Sequence, residues 1–224
     1  APLGMSMANE AQAKALIAAV GVQVLPEEAC ATAAAAAAAA DRLGYPVVMK
    51  ILSDDIPHKT EVGGVLLNVA NAAAVRSGFE TLMKRARDAR PDARLNGVLV
   101  APMARDGVET IIGTLTDPVF GPMMMFGLGG VAVELFRDVA FASAPLTPRR
   151  AESLIDASRG SALLKGWRGS PPLDRRALVD ALCALSHFAA AHRGEVDSVE
   201  VNPFPVRESG GYALDALVAF RARH

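Results

Sequence analysis

Short apolar runs alternate along this chain with longer stretches of helical composition, and the breaks between them fall on Gly, Pro, Asn and Asp. Asn9 is placed to cap a helix that runs to about Val20 and stops at Gly21. Thr32, the alanine run Ala33–Ala40 and a stop at Gly44 predict a second helix, because Ala is the strongest helix former. Pro46–Ile51 and Gly64–Val69 read as short buried strands joined by a charged, turn-rich loop. Ala72–Arg90 reads as helix and Asn96–Met103 as a strand ending in a bend. Val108–Thr116 and Phe120–Phe126 flank Asp117-Pro118 as a hairpin, and Gly127–Gly130 reads as a turn before another strand. A helix is expected after Pro148, a loop over 159–172, a helix over Leu173–His192, and strands at Ser198–Pro203 and Tyr212–Phe220. The order predicts an α+β protein, a single module of two lobes dividing near 97–103: lobe A about 21–97, lobe B about 1–20 with 98–224.

Composition changes this picture little. At 224 residues and 51% hydrophobic content the chain can bury a sizeable core. With only 5% aromatics, that core must be built from small and aliphatic side chains. The net charge of −1 supplies no basic stripe for nucleic acid. No apolar run approaches the roughly 20 residues that span a bilayer, and no signal peptide opens the sequence, so a cytoplasmic, non-membrane protein is expected. Cys30 and Cys183 lie far apart without metal-binding spacing and read as reduced core thiols. Met123–Met125 read as core strand residues, and His187 and His192 as surface or packing residues of their helix.

Two constellations carry chemistry. Lys50 ends an apolar strand, where its stem can bury while the ammonium meets a phosphate. The loop after it holds Pro57, His58 and Lys59 and closes on Gly63 and Gly64, whose backbone can approach an anion. Imidazole is a competent nucleophile towards phosphorus near neutral pH. On the residues alone, a solvent-facing lysine and a surface loop histidine fit this pattern equally well.

The second constellation is Glu200, Asn202 and Asp215. Glu200 and Asn202 lie two apart on a strand and share a face. Asp215 is the one charge in the apolar run Tyr212–Phe220, and a buried carboxylate demands a partner. Three oxygen side chains on adjacent strands suit magnesium, although a solvent-facing edge carboxylate fits too.

Four motifs in this order resemble the ATP-grasp domain of the nucleoside-diphosphate-forming acyl-CoA synthetases. They are Gly44-Tyr-Pro-Val-Val-Met-Lys50, Pro57-His-Lys-Thr-Glu-Val-Gly-Gly-Val65, Gly121-Pro-Met-Met-Met-Phe-Gly-Leu-Gly-Gly130 and Glu200-Val-Asn-Pro203. The resemblance runs from about Asn9 to Phe220. It implies an ATP-grasp fold of two α+β lobes gripping a nucleotide, ATP or ADP with Mg2+. Lys50 matches a phosphate-contacting lysine, His58 a phosphate-carrying histidine and Glu109 a nucleotide-contacting glutamate. Asn202 and Asp215 match magnesium ligands, with Glu200 beside them. Val98, Leu99, Val100 and Ala101 match the hinge whose backbone meets adenine. Ala101-Pro102 stands where a glutamate is common.

The implied reaction is acid + CoA + ATP ⇌ acyl-CoA + ADP + phosphate. The implied partners are the CoA-binding, acyl-phosphate-forming domains or an alpha subunit, since this chain has no Rossmann fingerprint. The alternative from another class is a non-catalytic nucleotide-binding module of a synthetase-like protein acetyltransferase. A third reading is an ATP-grasp ligase acting directly on a carboxylate.

Overall fold

The computed structural model describes residues 5–8, 10–53, 55–56, 59–103, 107–129, 138–166 and 169–221. The chain forms two units, Leu25–Arg105 and Ala1–Val24 with Asp106–His224. The N-terminal part supplies β1 (Met5–Met7) and α1 (Glu10–Ala19) to the larger unit. Asn9, the expected cap of α1, lies outside the described residues.

The smaller unit runs β2 (Glu28–Cys30), α2 (Ala33–Leu43), β3 (Val47–Ile51), β4 (Val65–Val69), α3 (Ala72–Ala89) and β5 (Val98–Pro102). Thr32 Oγ1 accepts from Ala35 N–H at 3.2 Å, and Asn71 Oδ1 accepts from Ala74 N–H at 2.9 Å, so both helices start on side-chain caps. The strands pair antiparallel in the order β2-β5-β3-β4. Val47, Met49, Ile51, Val98 and Val100 are buried with Ala36, Ala37, Ala39 and Ala40 of α2 and with Val75 and Leu82 of α3. The alanine run thus does more than favour helix: its short side chains form the packing face of α2.

β5 pairs with β3 from Val98 to Pro102, so this strand belongs to the smaller unit. The sequence boundary, which assigned 98 onward to lobe B, is corrected accordingly. A bend after an apolar strand marks where the strand ends and carries no information about which sheet it joins. β1 and β2, three residues each, offer too few positions for a readable period.

The larger unit continues with β6 (Val108–Asp117), β7 (Gly121–Leu128), β8 (Val139–Ser143), α4 (Pro148–Asp156), α5 (Ser161–Leu164), α6 (Arg175–Ala191), β9 (Val196–Val206) and β10 (Ala216–Arg221). Its strands pair antiparallel in the order β1-β10-β9-β6-β7-β8. Ile112, Met124, Phe126, Val199, Val201, Phe204 and Val218 cluster with Ile17 of α1, Leu154 and Ile155 of α4, and Leu178, Leu182 and Leu185 of α6.

Strand alternation corrects the methionine assignment. Met124 is buried, whereas Met123 and Met125 are half-buried on the opposite face of β7. Gly127 and Leu128 continue β7 instead of turning, and Gly130 lies outside the described residues, as do Glu134, Arg137, Trp167 and His224. Inside the expected loop 159–172, α5 forms where Asp138 accepts from Ser158 Oγ at 2.8 Å and from Gly160 N–H at 2.9 Å. His187 is exposed, and His192 ends α6 against the Phe188 ring at 4.6 Å. Cys30 is buried and Cys183 half-buried, both as free thiols that burial pushes up in pKa. No helix among the described residues is long and apolar enough to cross a membrane.

Candidate functional site

The face of the large sheet turned away from the helices gathers oxygen donors. Leu217 opposes Glu200 across β10 and β9, and Glu200 opposes Gly113 on β6. Asn202 N–H donates to Asp215 C=O at 3.2 Å, which puts Asp215 opposite Asn202, one residue before β10 starts. Because residues two apart on a strand share a face, Glu200, Asn202 and Asp215 all lie on the helix-free face. The Asn202 amide donates to Glu200 Oε1 at 3.1 Å, which leaves its carbonyl oxygen as the remaining ligand atom. Asp215 Oδ1 accepts from Ala216 N–H at 2.8 Å. Glu200, Asn202, Asp215, Ala216 and Leu217 line a recess of about 210 Å3.

Asp215 is half-buried, not the buried strand residue that its apolar neighbours suggest. Its run turns into the strand only at Ala216, so the carboxylate stands at the mouth of β10. Two carboxylates and one amide fit magnesium, a hard cation that takes oxygen ligands and keeps several places for phosphate and water. Among the described residues no three His, Cys, Asp or Glu converge.

Glu109, exposed on β6, stands on this same face two residues beyond Ile111. A register shift between Thr110 and Ile112 sets Asn202 and Pro203 against Ile111 alone, a bulge that breaks the β9 ladder beside the donors. Gly129 N–H donates to Glu109 C=O at 2.6 Å, and a Cβ on Gly129 would lie 2.9 Å from Glu109 Cβ. The glycine motif thus seats the chain directly on Glu109. The sequence offered the glycines but not their neighbour, which lies twenty residues away on another strand.

In the smaller unit, Val47, Met49 and Ile51 turn into the core, so Lys50 points to the opposite face, half-buried between Leu99 and Val65. Its surroundings there are apolar, as befits a lysine that buries its stem and projects its charge. The loop that follows closes through Gly64 N–H to Lys59 C=O at 2.8 Å and Ile51 N–H to Gly64 C=O at 2.8 Å. Gly64 is required there, since a Cβ would meet Ile51 Cγ2 at 2.7 Å and Lys59 O at 2.8 Å. Lys59 is half-buried, and Pro57 and His58 lie outside the described residues.

Val98–Ala101, the residues matched to the hinge, lie on β5 between β2 and β3. Met103 N–H donates to Pro46 C=O and Leu52 N–H to Gly97 C=O, so Leu99 and Ala101 bond β3 in the alternating ladder. Val98 and Val100 therefore bond β2, through Cys30 and Glu28. The backbone of Val98–Ala101 is committed on both sides. The register would next oppose Pro102 to Pro26, and neither proline has an N–H, so the ladder stops and the Pro102 carbonyl has no ladder donor.

Each unit is an antiparallel sheet with helices packed on one face, an α+β architecture; the larger sheet's other face carries the oxygen-bearing side chains and the smaller sheet's carries Lys50. The chain belongs to the ATP-grasp domain family, whose model matches residues 3–220. It is 37% identical over 207 residues to the beta subunit of acetate–CoA ligase (ADP-forming) I of Pyrococcus furiosus, covering 92% of this chain and 89% of that subunit. It is 39% identical over 200 residues to acetate–CoA ligase (ADP-forming) I of Archaeoglobus fulgidus, covering 89% of this chain but 29% of that protein. It also resembles a solved structure of dinucleotide-forming acetyl-coenzyme A synthetase 1 of Ca. Korarchaeum cryptofilum, with coenzyme A, Mg-AMPPCP and a phosphohistidine segment pointing towards the nucleotide binding site. That likeness has a TM-score of 0.83 at 36% identity over 96% of this chain and 93% of that one.

Proposed function

We propose that this chain is the nucleotide-handling part of an ADP-forming acyl-CoA synthetase, catalysing acid + CoA + ATP ⇌ acyl-CoA + ADP + phosphate together with CoA-binding domains or an alpha subunit. The observation that carries this reading is the likeness, over nearly the whole chain, to a synthetase described with Mg-AMPPCP and a phosphohistidine segment. The relatives are named as ligases, which favours this reading over the acetyltransferase-type regulatory module. Two free thiols fit the cytoplasmic setting expected from the sequence.

In this reading His58 carries the phosphoryl group. Its ring nitrogen takes the group from a partner phosphohistidine and passes it to the terminal oxygen of ADP: the N–P bond breaks, an O–P bond forms, and His58 is left neutral. Lys50 holds the nucleotide phosphates as a point charge. Pro57, Lys59, Gly63 and Gly64 form the loop around His58, and Glu109 contacts the nucleotide. Glu200, Asn202 and Asp215 hold magnesium, which when bound offsets phosphate charge during transfer. The Pro102 carbonyl, an acceptor beyond the last β2–β5 pair, suits the exocyclic amino group of adenine.

The test is labelled MgATP added to the purified chain in complex with its partner. Acid-labile label on this chain is expected, absent from His58→Ala. Label persisting in His58→Ala removes His58 from the reaction.

A further inference from the structure

Glu109 stands near the start of β6, and what holds it there comes from across the sheet. The β6–β7 ladder ends on Thr110 opposite Leu128, and one residue further Gly129 N–H donates to Glu109 C=O at 2.6 Å. That bond has no further strand pair beyond it, so its place depends on Leu128. Leu128 is buried on the face of β7 that Met124 and Phe126 share. Gly160 lies directly on it: a Cβ there would run into Leu128 Cδ1 and lie 2.5 Å from Cγ. The segment carrying Gly160 is fastened by Asp138, the residue before β8. Asp138 Oδ2 accepts from Ser158 Oγ at 2.8 Å and from Gly160 N–H at 2.9 Å. The Asp138 backbone is itself fixed beside β7, since a Cβ on Gly127 would meet the Asp138 carbonyl oxygen at 3.0 Å.

The contacts therefore run in order through Asp138, Gly160, Leu128, Gly129 and Glu109, all within the larger unit. α5, which starts after Gly160, spans only Ser161–Leu164, too short to fix its own beginning. The Asp138 carboxylate supplies that anchor. Burial pushes its carboxyl up in pKa, and the N–H groups of Gly160 and Arg159 with the Ser158 hydroxyl more than offset this, so it lies below the usual carboxylate range. Hydrogen bonds to an ionised acceptor are roughly twice as strong as neutral ones. Ser158 is buried, so its hydroxyl and the carboxylate hold each other away from competing water.

We propose that Asp138 is a positioning residue for Glu109. It pins the Ser158–Gly160 segment onto Leu128, holds Gly129 against the Glu109 backbone, and so sets where the Glu109 carboxylate meets the nucleotide. The proposal rests on Glu109 contacting the nucleotide. Glu109 is exposed on the helix-free face, so its backbone carries the aim of its side chain. A hydrogen bond weakens steeply once its angle falls below about 120°, and a shift at Gly129 is passed on to that contact.

The chain in complex with its partner is prepared as wild type, Asp138→Ala, Asp138→Asn, Glu109→Ala and the double variant Asp138→Ala/Glu109→Ala. MgADP affinity is titrated by calorimetry on each, well below the Tm of that variant. Asp138→Ala is expected to weaken MgADP binding about fivefold or more. Asp138→Asn keeps an oxygen acceptor for Gly160 N–H and is expected to recover part of that affinity. In the Glu109→Ala background, Asp138→Ala is expected to change affinity by less than about twofold, because residues that act through one contact are not additive. A loss of the same size in both backgrounds overturns the positioning role and leaves Asp138 a stabiliser of the fold alone. Wild-type affinity in Asp138→Ala overturns it as well. If Asp138→Ala does not fold, Ser158→Ala carries the same comparison, and its loss must likewise vanish in Glu109→Ala. Wild-type affinity in Glu109→Ala removes Glu109 from the nucleotide site, and with it anything for Asp138 to position, an outcome distinct from the others.

Discussion

Asn202 and Asp215 face each other across the end of the β9–β10 pair, joined by the Asn202 N–H to Asp215 C=O hydrogen bond at 3.2 Å. This one link brings a carboxylate from outside the strand onto the same face as Glu200 and Asn202. Under the proposed function, magnesium binding depends on backbone register as well as on the three side chains. Asp215→Ala is expected to weaken ADP binding in the presence of Mg2+ by about tenfold or more while leaving binding in EDTA nearly unchanged. Calorimetric titration with and without the metal decides this; equal losses in both conditions remove Asp215 from the metal site.

Lys50 stands among Leu99 and Val65, so replacing its charge by an apolar chain of similar length does not disturb the sheet. Lys50→Met is expected to keep the wild-type Tm and to lower ADP affinity about tenfold, or about 1.4 kcal/mol. The loss should shrink as salt is raised, because the lost contact is a charge on a phosphate. A Tm drop without an affinity change argues for a purely structural lysine.

Gly129 N–H donates to Glu109 C=O at 2.6 Å, which brings the two backbones together. Gly129→Ala forces a Cβ into contacts of 2.9–3.1 Å with Glu109, an overpacking that costs about 1–3 kcal/mol. Urea denaturation should register that loss, and nucleotide affinity should fall with it as Glu109 is pushed from its place.

Asp174 caps α6 through Ala177 N–H at 3.1 Å and accepts from Gly210 N–H at 2.8 Å. The Gly210 bond, and after it the Ala177 bond, hold its carboxyl below the usual range. A depressed folded-state pKa stabilises the fold above the unfolded pKa of about 3.9 and ceases to do so as pH falls through the lower, folded value. Asp174→Ala is therefore expected to be less stable than wild type from about pH 5 to 7, with the gap closing as pH drops below about 4. Denaturation curves across that range check the sign.

The end of the β2–β5 ladder at Glu28↔Val100 leaves the Pro102 carbonyl outside it, and under the proposed function this predicts base selection. A carbonyl acceptor without an adjacent donor pairs with the adenine amino group and opposes guanine O6. Competition titration should show ADP preferred over GDP; equal affinities place the base elsewhere.

The sequence by itself determined the longer helices, the longer strands and the residue types available for chemistry. Thr32, Asn71 and Thr147 cap α2, α3 and α4, and the long apolar strands follow their alternation, because these are local effects of a few adjacent residues. The faces of Lys50, Glu200 and Asn202 follow for the same reason, since strand period sets them. The tertiary structure decided the rest. It assigned β5 to the smaller sheet, committed the Val98–Ala101 backbone to its neighbours, seated Gly129 on Glu109, and tied Asp55 to Arg94 across thirty-nine residues. Each of these depends on which strands lie side by side and in what register. Register is fixed by the packing of whole faces, a cooperative property that no short window of sequence contains.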